Sequence, residues 1–339
     1  MFKKTKALVL LSGGLDSILA VKVLKKQGIE VKALSFKSYF FDSKQAEKAA
    51  KELRIPLKVV DFSKEHLRVV KKPKYGYGKA MNPCIDCHVL MLKKAKEVME
   101  KDYNPPTASS HLPKGKWAPE FDFVATGEVL GERPMSQNKK ALELIEKESS
   151  LRGYLLRPLS AKLLKQTVSE ENGLVDRQSL LDISGRSRKR QIELAGKWRI
   201  SRYPTPAGGC LLTDLEFGKR LKELLKNYPQ SDGNDVELLK LGRHFWQEKI
   251  KIVIGREHEE NVEIRKLAKR GDFLIEMQNY AGPTTLIRNY YKKKKISKNV
   301  LEKAKFLTQQ YSKKARYKED IKFKLEKKQG RMALAQNFL

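Results

Sequence analysis

Short apolar runs alternate with amphipathic stretches over the first sixty residues of the chain. KALVLLS is followed by SILAVKVLKKQG, IEVKALSFKS, SKQAEKAAKELRI and PLKVVDF, and FDFVATGEVLG adds a later apolar run. Continuous apolar runs of this length are typical of strands buried on both faces, and the stretches between them have helical periodicity. The alternation predicts an α/β fold, a doubly wound parallel sheet covered by helices.

The pattern changes along the chain and predicts three parts. Residues 1–165 hold the alternation, and residues 166–215 form a shorter, helical and glycine-punctuated connector that ends in SRYPTPAGGCLLTD. Beyond it, the helix EFGKRLKELLKN and the strands KIKIVIGR and GDFLIEMQ predict a smaller basic α+β domain with a basic tail over 216–339. Within the first part, we expect a turn-rich loop at 63–82 and, because of its prolines, an inserted surface loop or lid at 102–119.

Charge indicates the class of partner. Lysine and arginine number 71 against 40 acidic residues, a formal net charge of +31, and such a field recruits a polyanion. The alternative is a solvated, lysine-rich surface of the thermophilic kind. No apolar stretch approaches the roughly eighteen residues of a spanning helix, and MFKKTKALVLLSGG lacks a cleavage region. We therefore expect a soluble, cytoplasmic protein with no membrane partner.

The segment SGGLDS, residues 12–17, directly follows the apolar run ALVLL. A glycine-rich turn between a strand and a helix gathers backbone N–H groups at the helix N-terminus, where negative charge is favoured. The alternative is a ligand-free turn with a serine cap. As a phosphate site, the turn offers the glycine backbone and two hydroxyls, and its acid offers oxygens to Mg²⁺; these residues are Ser12, Gly13, Gly14, Asp16 and Ser17.

The same stretch resembles the PP-loop of the ATP pyrophosphatase family. The resemblance implies an adenine nucleotide alpha-hydrolase-like sheet, cleavage of ATP between its α and β phosphates, transfer of AMP to a substrate oxygen, and retention of pyrophosphate in the loop. Ligands of open parallel sheets lie outside the carboxyl ends of the strands. Ala33, Phe36 and Gly127 are therefore candidate adenosine contacts.

Three cysteines define a second candidate site. Cys84 and Cys87 form a CxxC, and Cys210 follows much later in AGGC. Three thiolates on a four-iron cubane leave one iron open to carry sulfide. The alternatives are a zinc site completed by His88, and cluster-free persulfide and disulfide chemistry. The other histidines, including His66, show no ligand spacing and are expected to be surface or structural residues.

Further stretches resemble the tRNA thiolation branch of the PP-loop family. NPCIDCH resembles a segment of the bacterial tRNA 2-thiouridylases, with Cys84 where they commonly have Asp; ATGEVLG resembles their ATGH motif, with Glu128 in place of His; and RPLSAK resembles their PLG and Lys motif. The resemblance implies an ATP-dependent tRNA sulfurtransferase (thiouridine synthetase) with Asp16, Cys87 and Cys210 as catalytic residues. Its cofactors would be ATP, Mg²⁺ and a [4Fe-4S] cluster on Cys84, Cys87 and Cys210, the cluster being replaced by Zn²⁺ or by no metal in the alternatives.

Such an enzyme would need tRNA and a sulfur donor, either sulfide or a persulfide carrier protein, and a homodimer is a further expectation. Two rival functions remain open at this point. One is a PP-loop RNA-modifying enzyme of different chemistry with structural zinc, and the other is a non-enzymatic RNA-binding protein that keeps the nucleotide fold as a scaffold.

Two features indicate RNA. SGRSRKRQ places four cations within five residues, which suits a phosphate backbone and also suits a solvated helix face; they are Arg186, Arg188, Lys189 and Arg190. KIKIVIGREHEENVEIRKLAKRGDFLIEMQNYAGPTTLIRN resembles the NFACT RNA-binding domain over about 233–290, with Glu257 where that family usually has Asn. The tyrosines of this region suit either base stacking or a core.

Overall fold

The computed structural model describes residues 4–101, 120–204, 209–291 and 295–329. The chain divides into two compact units, Met1–Leu215 and Glu216–Leu339. The expected loop at 102–119, which includes His111, and most of the PTPAGG turn before Cys210 lie outside the described residues.

A five-stranded parallel sheet forms the centre of the first unit, with strand order β3-β2-β1-β4-β5. Neighbouring residues of β1 contribute to different hydrophobic clusters, Leu8 to one and Val9 to the other, because successive side chains of a strand point to opposite faces. The predicted parallel α/β fold is confirmed. Its strands are β1 (Lys6–Leu10), β2 (Glu30–Lys37), β3 (Leu57–Asp61), β4 (Phe123–Thr126) and β5 (Leu155–Leu156).

Helices connect and cover these strands. The first helix buries most of its residues, which explains why SILAVKVLKKQG is apolar on several sides. A later helix begins at the first cysteine of the CxxC, so both thiols of that motif lie in its first turn or at its start. The helices are α1 (Leu15–Lys26), α2 (Lys44–Leu53), α3 (Ser63–Lys71), α4 (Cys84–Lys101), α5 (Lys139–Ser149), α6 (Val168–Glu171) and α7 (Lys189–Lys197).

Helix α3 corrects the expectation of a turn-rich loop over residues 63–82. The carboxylate of Asp61 accepts a hydrogen bond from the Ser63 backbone N–H at 3.0 Å and satisfies the start of the helix. One face of α3 is buried through His66, Leu67 and Val70, although charged residues surround them in the sequence. His66 stacks on Phe62 with ring centroids 4.9 Å apart, and burial lowers its pKa to about 4, as suits a structural histidine.

The second unit is built on a five-stranded antiparallel sheet of order β10-β8-β9-β7-β6. The predicted helix α8 and strands β7 and β8 are confirmed, and the sheet gains three strands that the sequence pattern did not predict. Its strands are β6 (Arg243–Gln247), β7 (Ile250–Ile254), β8 (Phe273–Met277), β9 (Thr285–Arg288) and β10 (Phe323–Lys327), and its helices are α8 (Leu215–Asn227), α9 (Gly233–Leu239), α10 (His258–Leu267) and α11 (Lys298–Gln310).

A buried ionic network joins the helices of this unit to its sheet. Arg288 donates to carboxylate oxygens of Asp235 and Asp272, each at 2.7 Å, and also to the Leu267 carbonyl oxygen at 2.8 Å. Tyr290 stacks on Tyr228 with centroids 4.3 Å apart, so this tyrosine serves packing. Among the described helices of both units, none is long and apolar enough to cross a membrane.

Candidate active site

The SGGLDS loop joins β1 to α1 at the carboxyl edge of the parallel sheet. Ser12 Oγ accepts a hydrogen bond from the Gly14 backbone N–H at 3.2 Å, and Ser17 Oγ donates to the Gly14 carbonyl oxygen at 2.8 Å. Gly14 is the N-cap of α1 and, being a glycine, has no side chain that could cap the helix. With no capping side chain at Gly14, the N-terminus of this twelve-residue helix is of the kind that binds anions.

Close packing of the backbone explains why Gly13 in the loop and Gly127 beside it have no side chain. Gly13 has φ +82°, and a Cβ there would lie 2.4 Å from the backbone of Gln45 at the start of α2. A Cβ on Gly127, which follows β4, would lie 2.5 Å from the Ser17 nitrogen and 2.6 Å from the Asp16 carbonyl carbon. Gly127 therefore supports the loop from behind, and its lack of a side chain is a steric requirement.

Asp16 is a partly buried carboxylate at the start of α1. Burial raises its pKa, and the nearby guanidinium groups of Arg188 and Arg133 oppose that rise. Arg188 Nη2 lies 3.9 Å from Asp16 Oδ2, while Asp16 Oδ1 is buried and has no hydrogen-bond partner in the described chain. Burial and the charge of Asp16 also raise the pKa of Glu132. A carboxylate oxygen left without a partner beside a phosphate-type loop fits a Mg²⁺ ligand.

Three of the sequence motifs meet at Glu128. Its carboxylate accepts hydrogen bonds from His88 Nδ1 at 2.7 Å, from Arg157 Nε at 2.9 Å and from Thr126 Oγ1 at 3.0 Å. Burial alone would raise the pKa of Glu128, but Arg157 and His88 outweigh burial and lower the pKa to about 2. Arg157 also pairs with Glu146 of α5. The network attaches the start of α4 to the end of β4.

The three cysteines lie in the first unit and are half-buried. Cys84 begins α4, and its sulfur accepts a hydrogen bond from the Asn82 amide at 3.1 Å. Cys210 is held from a different direction, because the backbone N–H of its neighbour Leu211 donates to the Phe40 carbonyl oxygen at 3.0 Å, just beyond β2. The thiols are thus brought together from chain segments that follow different strands.

Electrostatics show that the thiols influence one another. Enclosure by protein raises the pKa of Cys87 well above its usual value, and negative charge on Cys210 and Cys84 would raise it further. Burial, with the charge of Cys84, raises the pKa of Cys210 to about 11, although Arg133 opposes the rise. At neutral pH, Cys87 and Cys210 are therefore protonated thiols, and a bound cation would favour their thiolates.

The arrangement of the side chains at the thiol site differs from that of a formed metal site. Across the described residues, no group of three or more His, Cys, Asp or Glu side chains is arranged to hold a metal ion. The donor set, three thiols within electrostatic range of one another, has the number and type that a three-thiolate cluster requires. The chemistry of the donors therefore fits such a group, while the side chains are not drawn together around one.

The remaining predicted contacts fall in two environments. Ala33 is fully buried, and Phe36 is 5% exposed with its ring centroid 5.2 Å from that of Phe62, so both side chains pack in the core. Contact of these positions with adenosine stays a prediction. In SGRSRKRQ, Arg186 and Lys189 are exposed. Arg190 is exposed and pairs with Asp182 at 2.6 Å, whereas Arg188 lies at the SGGLDS loop.

Two cations of the site were not predicted from the sequence. Arg157 stands in RPLSAK, whose resemblance to the PLG and Lys motif does not involve the arginine, and only the fold reveals its pairing with Glu128. Arg133 stands in the loop after β4 and acts electrostatically on both Asp16 and Cys210. Its sequence context, GERPMSQ, contains a proline beside a cation and carries no recognisable phosphate-binding signal.

The fold and loop define an α/β nucleotide-binding protein of the PP-loop type joined to an antiparallel-sheet unit. Residues 5–170 match the family model described as tRNA methyl transferase HUP domain, and residues 242–337 match the one described as NFACT protein RNA binding domain. Both matches confirm resemblances predicted from the sequence.

Curated relatives agree with the first match. The chain is 26% identical over 281 residues to the tRNA-specific 2-thiouridylase of Karelsulcia muelleri. This match covers 78% of this chain and 65% of that protein. It is 39% identical over 95 residues to the enzyme of the same name from Helicobacter acinonychis, covering 25% of this chain and 28% of that protein. The chain thus spans less than two thirds of the length of these relatives.

Among solved structures, the chain is similar to a 4-thiouridine synthetase in complex with RNA and bound ATP. The identity is 18%, the TM-score is 0.35, and the match covers 70% of this chain and 52% of the other.

Proposed function

We propose that this protein is an ATP-dependent tRNA sulfurtransferase, which adenylates a carbonyl oxygen of a tRNA uridine and replaces that oxygen with sulfur. The observation that carries the proposal is the presence of two sites in one unit. The phosphate-type loop follows β1, and the thiols are held by segments that follow β2 and contact the end of β4. These strands are neighbours in the parallel sheet, so both sites belong to the same edge.

The activating half of the reaction belongs to the SGGLDS loop. The uridine carbonyl oxygen attacks the α phosphorus of ATP, the bond from that phosphorus to the β-bridging oxygen breaks, and pyrophosphate leaves. Backbone N–H groups of Gly13 and Gly14 and the hydroxyls of Ser12 and Ser17 would hold the phosphates. Asp16 would hold Mg²⁺, which neutralises charge on the leaving pyrophosphate. The products are an adenylated base and pyrophosphate.

The sulfur half of the reaction belongs to the three cysteines. A sulfur nucleophile adds to the activated carbon, and the bond from that carbon to the AMP oxygen breaks, because AMP is a much better leaving group than oxide. Cys84, Cys87 and Cys210 would hold a [4Fe-4S] cluster, which when bound supplies an iron without a protein ligand to carry sulfide. The raised pKa values of the Cys87 and Cys210 thiols argue against freely reactive thiolates at neutral pH, and a bound cation would favour the thiolate forms.

The choice of tRNA as substrate rests on independent observations. The relatives are named as tRNA-specific 2-thiouridylases, and residues 242–337 match a family described as RNA-binding. The net charge of +31 suits a polyanionic substrate. Exposed Arg186, Lys189 and Arg190 would contact its phosphates.

Product analysis tests the proposal directly. Protein purified and reconstituted with iron and sulfide without oxygen, then incubated with ATP, sulfide and unmodified tRNA, should yield a thionucleoside detectable by mass spectrometry. Cys87→Ser and Cys210→Ser should abolish the thionucleoside and retain tRNA-dependent release of pyrophosphate, because the activating half does not use the thiols. Absence of any thionucleoside from wild-type protein that binds ATP and tRNA would refute the activity.

Metal and acid-labile sulfide analysis of the same preparation distinguishes the forms of the thiol site. Iron and sulfide in a brown protein support the cluster. Stoichiometric zinc in a colourless protein without thiolated product supports the zinc-containing rival. Thiolation by a metal-free protein, with loss of activity on thiol alkylation, supports a persulfide route.

A further inference from the structure

The SGRSRKRQ segment is anchored beside the loop that follows β4. Ser184 forms a parallel bridge with Leu130, and the Gly185 backbone N–H donates to the Leu130 carbonyl oxygen at 2.7 Å. Ser160 Oγ accepts from the Leu130 N–H at 2.9 Å and donates to the Ile183 carbonyl oxygen at 2.6 Å. These bonds fix the residues before α7 at the edge of the sheet where the PP-loop lies.

The four cations of this segment do not share one environment. Arg186, Lys189 and Arg190 are exposed to solvent. Arg188 turns inward: 16% of its side chain is exposed, and its Nη2 lies 3.9 Å from Asp16 Oδ2. Its Nε is buried and has no hydrogen-bond partner within the described part of the chain. A distance of 3.9 Å is too long for a hydrogen bond, so the guanidinium is oriented toward Asp16 without being saturated by it.

Gln191 gives a second, independent sign of an incomplete site. It lies on the first turn of α7, is 0% exposed, and its amide is near enough to the Asp16 carboxylate to lower the pKa of that carboxyl by a weak hydrogen bond. Neither atom of its amide group makes a hydrogen bond of good geometry among the described residues, and the same is true of Asp16 Oδ1. Buried polar groups are almost always well paired, so these three poorly paired atoms, on α7 and at the start of α1, indicate a polar ligand that completes them.

We propose that Arg188 and Gln191 form the second wall of the ATP polyphosphate site, facing the PP-loop, and that Arg188 binds the pyrophosphate portion of ATP. This inference rests on the ATP use proposed above. A guanidinium presents a planar fork that matches phosphate oxygens in bidentate fashion, and the Gln191 amide supplies a neutral donor beside it. Arg133, exposed in the neighbouring loop, adds positive charge to the same place.

The cations of SGRSRKRQ would then bind two different ligands. Arg188 belongs to the nucleotide, and Arg186, Lys189 and Arg190 stay available to RNA. Because the nucleotide-binding and RNA-binding cations lie within one short segment, the two ligands would bind next to each other.

Equilibrium titrations with MgATP, pyrophosphate and AMP test the assignment. Arg188→Ala should weaken binding of ATP and pyrophosphate about 10- to 100-fold and leave AMP affinity within about twofold, because AMP lacks the portion that Arg188 holds. Arg188→Lys should recover part of the loss, since charge returns without the bidentate fork. Arg152→Ala, an exposed arginine of the same unit, is the matched control and should bind all three ligands like wild type.

A tRNA titration completes the test. Arg188→Ala should bind tRNA like wild type, whereas the double variant Arg186→Ala with Arg190→Ala should have a lower affinity for tRNA. Unchanged pyrophosphate affinity in Arg188→Ala, an equal loss for AMP, or a loss confined to tRNA would each overturn the inference. Thermal unfolding without ligand identifies misfolded variants. If Arg188→Ala is misfolded, the ATP and pyrophosphate affinities of Arg188→Lys test the assignment in its place. Wild-type protein that binds no ATP would refute the proposed function itself, whereas an Arg188→Ala protein that binds ATP normally refutes only this assignment.

Discussion

At the scale of single residues, Glu128 shows how a departure from a family motif is accommodated. The resemblance of ATGEVLG to ATGH places an acid where the family has a histidine, and the structure surrounds that acid with Arg157 and His88. Both partners come from motifs that resemble the same family. The charge at position 128 has changed sign relative to a protonated histidine, and the neighbouring cations make the new charge favourable.

Replacing Glu128 should affect stability in a pH-dependent way. The pKa of this carboxyl is lowered to about 2 from 4.5, so its ion pairs stabilise the fold above about pH 4.5 and their contribution is lost as pH falls toward 2. We expect Glu128→Gln to lower the free energy of unfolding by roughly 2–3 kcal/mol at pH 7, because Arg157 keeps only Glu146 as a partner. The difference from wild type should shrink on acidification.

Urea unfolding measured from pH 7 to pH 3 checks this expectation. Glu143→Gln, which alters an exposed acid on α5, should be close to wild type throughout. A deficit of Glu128→Gln that stays constant with pH would show that packing, and not charge, holds this site together.

Lys251 is the opposite case, a buried amine that lies 4.6 Å from the centroid of the Trp246 ring. It is 0% exposed, its Nζ has no hydrogen-bond partner in the described residues, and burial lowers its pKa to about 7 although Glu223 and Asp235 act in the other direction. Between about pH 7 and 10.5 the unfolded chain binds a proton that the folded chain does not. The stability of the second unit should therefore rise with pH across this window.

Lys251→Met should stabilise the protein. The substitution removes the cost of burying an amine and keeps the apolar stem, so we expect a gain of roughly 1–3 kcal/mol at pH 7 that decreases toward pH 10. Thermal unfolding at the two pH values measures the gain, with the exposed Lys222→Met as the control. A gain that is equal at both pH values would contradict the assignment of a neutralised lysine.

At the scale of elements, the PP-loop is fixed by helices on both sides. Gly13 and Gly28 both have positive φ, +82° and +76°, but only Gly13 is enclosed, since a Cβ on Gly28 would meet nothing within 4 Å. A substitution at Gly28 would therefore cause backbone strain alone, whereas one at Gly13 would cause backbone strain and a steric clash. Any substitution at Gly13 must move α2 away from the loop or move the loop itself.

Gly13→Ala and Gly28→Ala should thus differ sharply. We expect Gly28→Ala to cost about 1 kcal/mol of stability, through its backbone conformation, with normal ATP affinity. Gly13→Ala should lose ATP affinity by at least about tenfold, because the clash with the Gln45 backbone displaces the N–H groups that would hold the phosphates. Calorimetric titration of MgATP against both variants gives the comparison; equal ATP affinities would indicate that the loop tolerates displacement.

The elements also show which features a sequence reveals. The central strands β1 and β4 are apolar and buried along most of their length, and the SGGLDS turn has strong local chemistry, so both were predictable. Helix α3 was not, because Lys64, Glu65 and Arg68 surround its three buried residues. The contacts of the site depend on chain segments that are distant in sequence: Glu128 with Arg157, and Arg188 with Asp16. Periodicity carries no information about such pairs.

At the scale of the whole molecule, one chain carries two modules that match different families. Residues 5–170 match the model described as tRNA methyl transferase HUP domain, and residues 242–337 match the one described as NFACT protein RNA binding domain. Covalent linkage of an RNA-binding module to a catalytic domain raises the effective concentration of RNA at the catalyst without requiring new contacts. The affinity for tRNA should then depend on charge spread over the whole chain, whereas the affinity for ATP should depend on a single loop.

Salt dependence distinguishes these two kinds of binding. Contacts to several phosphates release condensed counterions, so we expect tRNA affinity to fall about 10²- to 10³-fold between about 50 and about 200 mM KCl. MgATP, held by directional backbone N–H groups at the PP-loop, should lose less than about tenfold over the same range. Fluorescence anisotropy with labelled tRNA and with a labelled ATP analogue in identical buffers measures both. A tRNA affinity that changes less than threefold would assign the net charge of +31 to solvated surface and not to RNA binding.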